Sequence, residues 1–267
     1  MSEHAPASSV GISIFETIRD ALNSGIPAAS TRVVRGEPLG ARLVVLPDGV
    51  AGTLGDDELD ELVTRDARQL LSEERSETRT YTATRGEVDV FIETFPPAPL
   101  LLIFGAVHVA QALTKFAKAL GFRVVVTDAR ATLATKERFP EADDIIRAWP
   151  DDALSQLEIG ANAYIAILTH DPKFDEPALL GTLTTPARYI GAVGSRGTNR
   201  DRADRLRDAG VDPANLARIR GPIGLDIGAD TPEEMAISIL AEIIATRHGR
   251  TGGALMEGSG NIRGEST

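Results

Sequence analysis

Leu100-Leu-Leu-Ile-Phe-Gly-Ala-Val-His-Val-Ala110 contains an apolar run that ends at Gly105, and a helical pattern follows it. This order predicts the first strand, the phosphate-binding turn and the first helix of a Rossmann unit. In such a turn, backbone N–H groups and the positive end of a helix dipole hold a pyrophosphate without a basic side chain. We expect ligand contacts at Gly105 and Ala106, whereas His108 and Val109 can either contact the ligand or lie over the helix.

The glycine fingerprint of dinucleotide-binding turns, G-x-G-x-x-G/A, is incomplete, since Gly105, Val107 and Ala110 occupy its three key places. The missing middle glycine normally lets the backbone approach the phosphates, so a valine there predicts another ligand or another pose. A second buried strand pattern, Arg123–Thr127, ends at Asp128, which comes 23 residues after Gly105. Asp128 fits a ribose-binding carboxylate and fits a turn residue at a strand end equally well.

Length, charge and cysteine content narrow the class of protein. The 267 residues suffice for two modest domains, and the formal net charge is −11. This acidic balance argues against nucleic acid and against an anionic membrane as primary partners, because both require a basic footprint. The absence of cysteine excludes disulfides, thiolate metal sites and cysteine nucleophiles. The chain lacks a signal-peptide pattern and a bilayer-spanning apolar run, so we expect a soluble cytoplasmic protein.

Changes in pattern divide the chain into two predicted domains. Short strands around one charged helix predict a small α+β domain, and alternating strands and helices then predict a doubly wound parallel sheet of the Rossmann type. The best-marked element is the last helix, where Thr231-Pro-Glu-Glu234 supplies an N-cap, a proline and a capping-box glutamate. The predicted boundaries are residues 1–95 for the α+β domain, 96–99 for a stiff linker, 100–250 for the Rossmann-like domain and 251–267 for a disordered tail.

Ligands of open α/β sheets bind outside the carboxyl ends of the strands, so the residues after each strand are the candidate site. Gly191-Ala-Val-Gly-Ser-Arg-Gly-Thr198 has the form of an anion-binding helix start, in which Gly194, Ser195 and Arg196 could hold a phosphate. The arginines from Arg200 to Arg205 are interpreted as a solvated face paired with neighbouring aspartates. The predicted strands of this sheet are Leu100–Phe104, Arg123–Thr127, Ile145–Trp149, Ala163–Thr169, Arg188–Val193 and Arg218–Arg220.

Two further strand ends carry unusual residues. Thr169, His170 and Asp171 fit a metal or general-base site, and they also fit an ordinary turn before Pro172. The sequence favours the turn, because the spacing is not diagnostic of either chemistry. The glycine-rich segment 221–229 predicts a loop folded tightly against a ligand or a neighbouring domain.

Several of these segments stand together in a characteristic order along the second half of the chain: Phe104-Gly-Ala-Val-His-Val109, Asp128-Ala-Arg130, Thr169-His-Asp171 with Asp175, Tyr189-Ile-Gly-Ala-Val-Gly-Ser-Arg196 and Gly221-Pro-Ile-Gly-Leu-Asp-Ile-Gly-Ala-Asp-Thr-Pro-Glu-Glu234. From about residue 99 to 249 the chain resembles the Rossmann domain of the XdhC/CoxI family. Members of that family are accessory factors of xanthine dehydrogenase and related molybdenum hydroxylases.

The resemblance implies binding of the molybdenum cofactor, as molybdopterin or its dinucleotide form, and its delivery to an apo molybdenum hydroxylase. A cysteine desulfurase is a further implied partner. An accessory role of this kind requires no catalytic residue and no metal site in the chain itself. Together with the analysis of strand ends, it assigns cofactor binding to Gly105, Ala106, His108, Val109, Asp128, Arg130, Thr169, His170, Asp171, Gly194, Ser195, Arg196, Gly224 and Asp226.

The first half is similar to the family's first domain through Gly40-Ala-Arg42, Asp48-Gly49 and Gly52-Thr-Leu-Gly-Asp-Asp-Glu-Leu59. That domain usually carries two cysteines. Here Asp56-Asp57 falls near the first cysteine position and Thr84-Arg-Gly86 near the second. If those thiols handle sulfur or ligate the cofactor in relatives, this chain cannot do so.

Two other classes of protein stay open. An NAD(P)-dependent oxidoreductase is supported by the strand–turn–helix pattern and Asp128, but the sequence offers no convincing Tyr/Lys or His/Asp catalytic pair. A noncatalytic nucleotide-sensing module fits the same fold, because function belongs to the site rather than the fold. The identity of the bound ligand distinguishes the three classes. A bound pterin indicates the cofactor carrier, nicotinamide turnover indicates the oxidoreductase, and nucleotide binding without chemistry indicates the sensor. A homodimer is compatible with each of them.

Overall fold

The computed structural model describes residues 8–258, with side chains from Ile14 onward. The chain divides into two compact units, and the boundary falls between Ala98 and Pro99. Of the segment predicted as a disordered tail, residues 251–258 are described and include a 3₁₀ turn at Leu255–Glu257. Residues 259–267 lie outside the described part. None of the described helices is both long enough and apolar enough to cross a membrane.

The first unit is an antiparallel sheet covered by helices. Its strands follow the order β3-β2-β1-β5-β4. One apolar stripe of α2, made of Leu59, Val63, Ala67 and Leu70, repeats with helical spacing and is buried in one cluster with strand residues. The elements are α1 Ser8–Asn23, β1 Ala28–Arg35, β2 Arg42–Leu46, β3 Gly49–Thr53, α2 Asp57–Ser72, β4 Glu77–Ala83 and β5 Gly86–Phe95.

The second unit is a parallel six-stranded sheet in the order β11-β10-β9-β6-β7-β8. When the strands are numbered within this unit, with β6 as strand 1, the order is 6-5-4-1-2-3, which is the Rossmann order 3-2-1-4-5-6 in reverse. The topological switch point of the sheet therefore lies between β6 and β9. The elements are β6 Leu100–Phe104, α3 His108–Ala119, β7 Arg123–Thr127, β8 Asp144–Ile146, α4 Pro150–Leu154, β9 Ala163–Ile167, α5 Pro172–Leu183, β10 Tyr189–Ala192, α6 Arg196–Asp208, α7 Pro213–Leu216, β11 Ile219–Arg220 and α8 Pro232–Arg247.

Helices cover both faces of this sheet, so its central strands are buried along their whole length. Successive side chains of β6 point to opposite faces. Leu101 and Ile103 belong to the core cluster that contains α3 and α8 residues, whereas Leu102 belongs to the cluster that contains α5 residues. The predicted architecture, a small α+β region before a Rossmann-like parallel sheet, is confirmed.

Two local predictions have clear outcomes. Thr231 caps α8, accepting a hydrogen bond from the Glu234 N–H while the Glu234 carboxylate accepts from the Thr231 N–H, so the predicted capping box is confirmed. The predicted strand Ile145–Trp149 is wrong at its end. β8 stops at Ile146, and Trp149 is instead the N-cap residue of α4, whose first residue is Pro150.

Candidate functional site

The turn after β6 is held by the ends of two neighbouring strands. Gly105 has φ 106° and donates its N–H to the Thr127 carbonyl at 2.8 Å. A Cβ at Gly105 would lie 2.7 Å from Cγ2 of Thr169. Glycine is therefore required here for backbone conformation and for the close approach of the β9 end.

Asp128, which directly follows β7, stabilises the same turn through hydrogen bonds. Its Oδ2 accepts the Ala106 N–H at 2.8 Å and Arg130 Nη2 at 2.7 Å. Its Oδ1 accepts the Arg130 N–H and Arg130 Nε, both at 2.9 Å. Because a carboxylate offers about four acceptor positions, these bonds occupy them all. Asp128 thus acts as a brace of the turn and leaves no acceptor free for a ribose hydroxyl.

The Asp128–Arg130 pair presents its cationic side to solvent. The Asp128 side chain is 2% exposed and the Arg130 side chain 48% exposed. Burial raises the pKa of Asp128, but hydrogen bonds from Arg130 and from the Ala106 N–H outweigh it and hold that pKa below its usual value. An anionic ligand at this edge would therefore meet Arg130 rather than a carboxylate.

Replacing Asp128 with alanine is expected to lower the free energy of unfolding by about 1–3 kcal/mol at pH 7, because the buried Ala106 N–H loses its acceptor. The contribution of Asp128 is present above the usual aspartate pKa of 3.8 and is lost as the pH falls through its lower folded value. Urea unfolding of both proteins at several pH values measures this. Equal pH dependence of stability in the two proteins would contradict it.

The first turn of α3 is open to an anion. Val107 is its N-cap residue and makes no side-chain cap hydrogen bond, so the first N–H groups of the helix lack a side-chain acceptor. Val107 and Val109 are partly buried and pack against the core, whereas His108 is exposed. The valine that replaces the middle fingerprint glycine is thus a packing residue. The cleft lined by Gly105 is nevertheless small, about 10 Å³.

A buried ion pair lies beneath the ends of β9 and β10. Arg202 donates from Nη2 to Asp175 Oδ2 at 2.8 Å, and the two side chains are 4% and 3% exposed. Asp175 also accepts from the Thr169 hydroxyl, and Arg202 donates to the Val193 carbonyl at 3.0 Å. Burial raises the pKa of Asp175, and the hydrogen bonds from Thr169 and Arg202 oppose that rise. The pair therefore ties α5 and α6 to both strand ends.

For Arg202 the expected solvated face is wrong. Arg202 is buried, and its partner lies on another helix rather than among the neighbouring aspartates of α6. Arg205 is partly exposed and pairs with Glu176 at 2.5 Å, again across helices. Arg207, which lies beyond the range of that prediction, pairs with Asp204 of the same helix.

The predicted helix start at Ser195 is confirmed. The Ser195 hydroxyl accepts the Thr198 N–H at 3.0 Å, and a backbone bond joins the Asn199 N–H to the Ser195 carbonyl. The N–H groups of Arg196 and Gly197 come before that bond and have no intrahelical acceptor. The Arg196 side chain is 84% exposed, 3.6 Å from an equally exposed Asp226. Such an exposed pair is weak, so an anionic ligand can compete for Arg196.

The loop after β11 is fixed to α8. Gly224, with φ 99°, donates its N–H to Glu242 Oε2 at 2.8 Å, and the Tyr189 hydroxyl donates to the same oxygen at 2.5 Å. Burial and the Glu242 carboxylate raise the pKa of Tyr189 well above its usual value. Ser238 donates to the Leu225 carbonyl at 2.6 Å. A Cβ at Gly224 would lie 2.4 Å from the Ser238 hydroxyl, so this glycine allows the loop to lie against the helix.

A cavity of about 620 Å³ lies between the α6 start and the loop after β11. A second cavity, of about 570 Å³, shares Arg196 and Pro222 with it. Both volumes are in the range of small-molecule sites. Among the predicted residues, the structure therefore gathers Ser195, Arg196, Gly224 and Asp226 around one open space.

His170 and Asp171 form the turn that the sequence favours. Asp171 caps α5 by accepting the Lys173 N–H at 3.0 Å, and His170 is exposed. Within residues 8–258, no group of three or more His, Cys, Asp or Glu side chains is arranged to hold a metal ion.

Comparison with known proteins places this geometry in a family. Residues 101–243 match the sequence model of the XdhC Rossmann domain, and residues 21–82 match that of the XdhC and CoxI family. This chain belongs to the XdhC/CoxI family. The resemblance inferred from the strand-end segments is thereby confirmed.

This XdhC/CoxI chain is also similar to individual curated proteins and to a solved structure. It is 35% identical to a probable xanthine dehydrogenase subunit of Bacillus subtilis, over 60% of this chain and 46% of that protein. It is 27% identical to the molybdenum cofactor insertion chaperone PaoD of Escherichia coli, over 63% of this chain and 46% of that protein. The matches span less than half the length of the curated relatives. A crystal structure from Bacillus halodurans, described as a xanthine dehydrogenase, shares the fold with TM-score 0.52 and 23% identity, over 88% of this chain and 96% of that one.

The two positions near the XdhC/CoxI cysteines lie together in the first unit. The Asp56 carboxylate accepts from the Thr84 N–H at 3.0 Å and from the Thr84 hydroxyl, and it also caps α2 through the Leu59 N–H. A cavity of about 430 Å³ adjoins them and is also lined by Arg85. A carboxylate and a hydroxyl thus stand in contact near the places where the resemblance puts two thiols.

We expect the stability that Asp56 gives to the first unit to depend on pH in the acidic range. The Thr84 hydroxyl, followed by the Leu59 and Thr84 N–H groups, lowers the pKa of Asp56 to about 2. The stabilisation is therefore complete above the usual value of 3.8 and is lost as the pH falls from there toward 2. We expect Asp56→Ala to lower the thermal unfolding temperature at pH 7 and to lose less stability than the wild type between pH 4 and pH 2. Parallel decreases in the two proteins would contradict this expectation.

Proposed function

We propose that this chain binds molybdopterin or its dinucleotide form and delivers it to an apo molybdenum hydroxylase. The proposal rests on the 620 Å³ cavity, which is lined by Arg196 and Gly197 at the start of α6 and by the loop around Gly224. A guanidinium and free helix N–H groups suit a phosphate. The names of the Bacillus subtilis and PaoD relatives support the same class of ligand and partner.

Each part of the site has its own task in this proposal. Arg196, with the N–H groups of the α6 start, holds the phosphate, and the Gly224 loop shapes the wall opposite. After β7, Asp128 holds the turn after β6 in place by accepting the Ala106 N–H, and after β9 the Thr169 hydroxyl donates to Asp175. Four of the predicted contacts there are exposed to solvent: His108, Arg130, His170 and Asp171. The cofactor supplies the molybdenum chemistry, and these residues bind and orient it.

The NAD(P)-dependent oxidoreductase is less well supported than the cofactor carrier. An NAD site needs a carboxylate that accepts from a ribose hydroxyl. Both oxygens of Asp128 already accept two hydrogen bonds each. The half-buried Val107 packs against the core at the place where close phosphate approach would require glycine.

A delivery assay tests the proposal. The chain is loaded with molybdenum cofactor and mixed with an apo molybdenum hydroxylase, and the appearance of enzyme activity is followed. We expect the loaded chain to activate the enzyme faster than free cofactor does, and a cysteine desulfurase with cysteine to raise the final activity. Arg196→Ala should lose most of this gain, by roughly tenfold or more, since a charge-assisted contact is removed.

Arg207→Ala is the matched control. It removes the same charge from the same helix, but its partner is Asp204 on the exposed surface. It should deliver cofactor as the wild type does. Equal delivery by Arg196→Ala and Arg207→Ala would exclude Arg196 as the phosphate contact, and activation at the rate of free cofactor would overturn the proposed function.

A further inference from the structure

An exposed aromatic pair stands at the carboxyl edge of the sheet. Trp149 follows β8 as the N-cap residue of α4, and Phe174 lies in the first turn of α5. Their rings are parallel to within 3°, with centroids 4.4 Å apart. Phe174 covers part of the indole, yet Trp149 as a whole remains 50% exposed. The sequence pattern predicts Trp149 as the last residue of a strand and so does not reveal this pair.

The pair is connected to the turn after β6. The Arg130 guanidinium carbon lies 6.0 Å from the centroid of the Phe174 ring, and the same guanidinium donates to Asp128, which accepts the Ala106 N–H. Phe174 also lines the small cleft at Gly105. A flat apolar surface, an exposed cation and an uncapped helix start are therefore neighbours at this end of the sheet.

These features are complementary to one kind of ligand. Aromatic side chains stack on planar heterocycles, and this contact strengthens binding for every base because each has a π-face. Arg130 and the first turn of α3 supply the positive charge that a phosphate attached to such a ring requires. The Trp149 side chain makes no cap hydrogen bond for α4, so helix capping does not account for its position.

We propose that Trp149, supported by Phe174, is a stacking platform for the planar heterocycle of a phosphate-bearing ligand. This inference rests on the proposed function for the identity of that ligand and extends it to a second contact region, at the ends of β7 and β8. The heterocycle is either the pterin or the nucleobase of the dinucleotide form. In the dinucleotide form, which has two phosphates, Arg130 contacts the one that Arg196 does not hold.

Trp149 is the single tryptophan of the chain, so intrinsic tryptophan fluorescence reports on this platform alone. The full chain is titrated with GMP and CMP, and with inorganic phosphate as the probe that lacks a ring. The two nucleotides are expected to quench the fluorescence in a saturable manner, and phosphate is expected to leave it unchanged. Equilibrium dialysis measures the binding of 6-carboxypterin and of the same nucleotides to the variants.

Trp149→Ala should weaken binding of the ring that occupies the platform by roughly tenfold or more, whereas Trp149→Phe should stay within about threefold. Thermal unfolding of both variants shows whether they fold. Leu120→Ala, which truncates another exposed apolar residue, is the matched control and should bind as the wild type does. If Trp149→Ala loses affinity for a nucleotide only, the platform binds the nucleobase. If it loses affinity for 6-carboxypterin, the platform binds the pterin.

Equal affinity of wild type and Trp149→Ala for all ring-bearing probes would overturn the platform, even if the chain still delivers cofactor through Arg196. Failure of the delivery assay together with nucleotide stacking on Trp149 would overturn the proposed function and leave the platform standing. The two ideas therefore fail under different observations.

Discussion

Arg202→Ala is expected to lower the free energy of unfolding by about 3–5 kcal/mol, because it leaves the buried Asp175 carboxylate without its cation. The Val193 carbonyl would lose a donor at the same time. Urea unfolding measures the change. The loss should also loosen the α6 start, since Arg202 holds Asn199 at 2.6 Å, next to the proposed phosphate contacts.

Two control proteins distinguish the effect of burying an ion pair from the effect of removing a positive charge. Arg205→Ala breaks a partly exposed ion pair with Glu176 and should cost no more than about 1 kcal/mol. The double variant Asp175→Leu/Arg202→Met replaces the pair with apolar side chains, so it should be more stable than Arg202→Ala. Similar stabilities of Arg202→Ala and Arg205→Ala would contradict the structural role of the buried pair.

Gly105→Ala is expected to destabilise the chain through two effects. Its backbone has φ 106°, where an L side chain costs about 1–3 kcal/mol of strain. The new Cβ would also lie 2.7 Å from Cγ2 of Thr169, and such overpacking costs about 1–3 kcal/mol more. Thermal and urea unfolding measure the combined loss of stability from backbone strain and overpacking.

Gly121→Ala is the control for the steric part. Gly121 has φ 80°, and no heavy atom lies within 4 Å of its ideal Cβ. It should therefore show the backbone cost alone. If Gly105→Ala is as stable as Gly121→Ala, then a Cβ at position 105 does not clash with Thr169 after β9.

Most strand positions of the Rossmann-like sheet were predictable from sequence because apolar runs bounded by glycine and polar residues mark buried strands. β6 and β7 have the predicted limits. The misplaced end of β8 had a usable signal, since Pro150 followed by two aspartates is typical of a helix start. Strand composition misled there because Ile145 and Ile146 continue into Ala148 and Trp149 in an apolar pattern.

The candidate site was predictable in part. The cap at Ser195 and the turn at Asp171 follow from local chemistry that the sequence displays. The Asp175–Arg202 pair joins residues 27 positions apart on different helices, and no local spacing indicates it. The closed cleft at Gly105 and the larger cavity at Arg196 depend on how side chains fill space, which residue order does not reveal.

In the proposed function the chain holds a phosphate-bearing pterin at Arg196. Mass spectrometry of the small molecules released from purified protein, produced in cells that synthesise the molybdenum cofactor, detects such a ligand. We expect molybdopterin or its dinucleotide in the wild type and in Arg207→Ala, and at least a roughly tenfold smaller amount in Arg196→Ala. A nicotinamide nucleotide in place of a pterin, or no pterin in any of the three proteins, would contradict the proposed function.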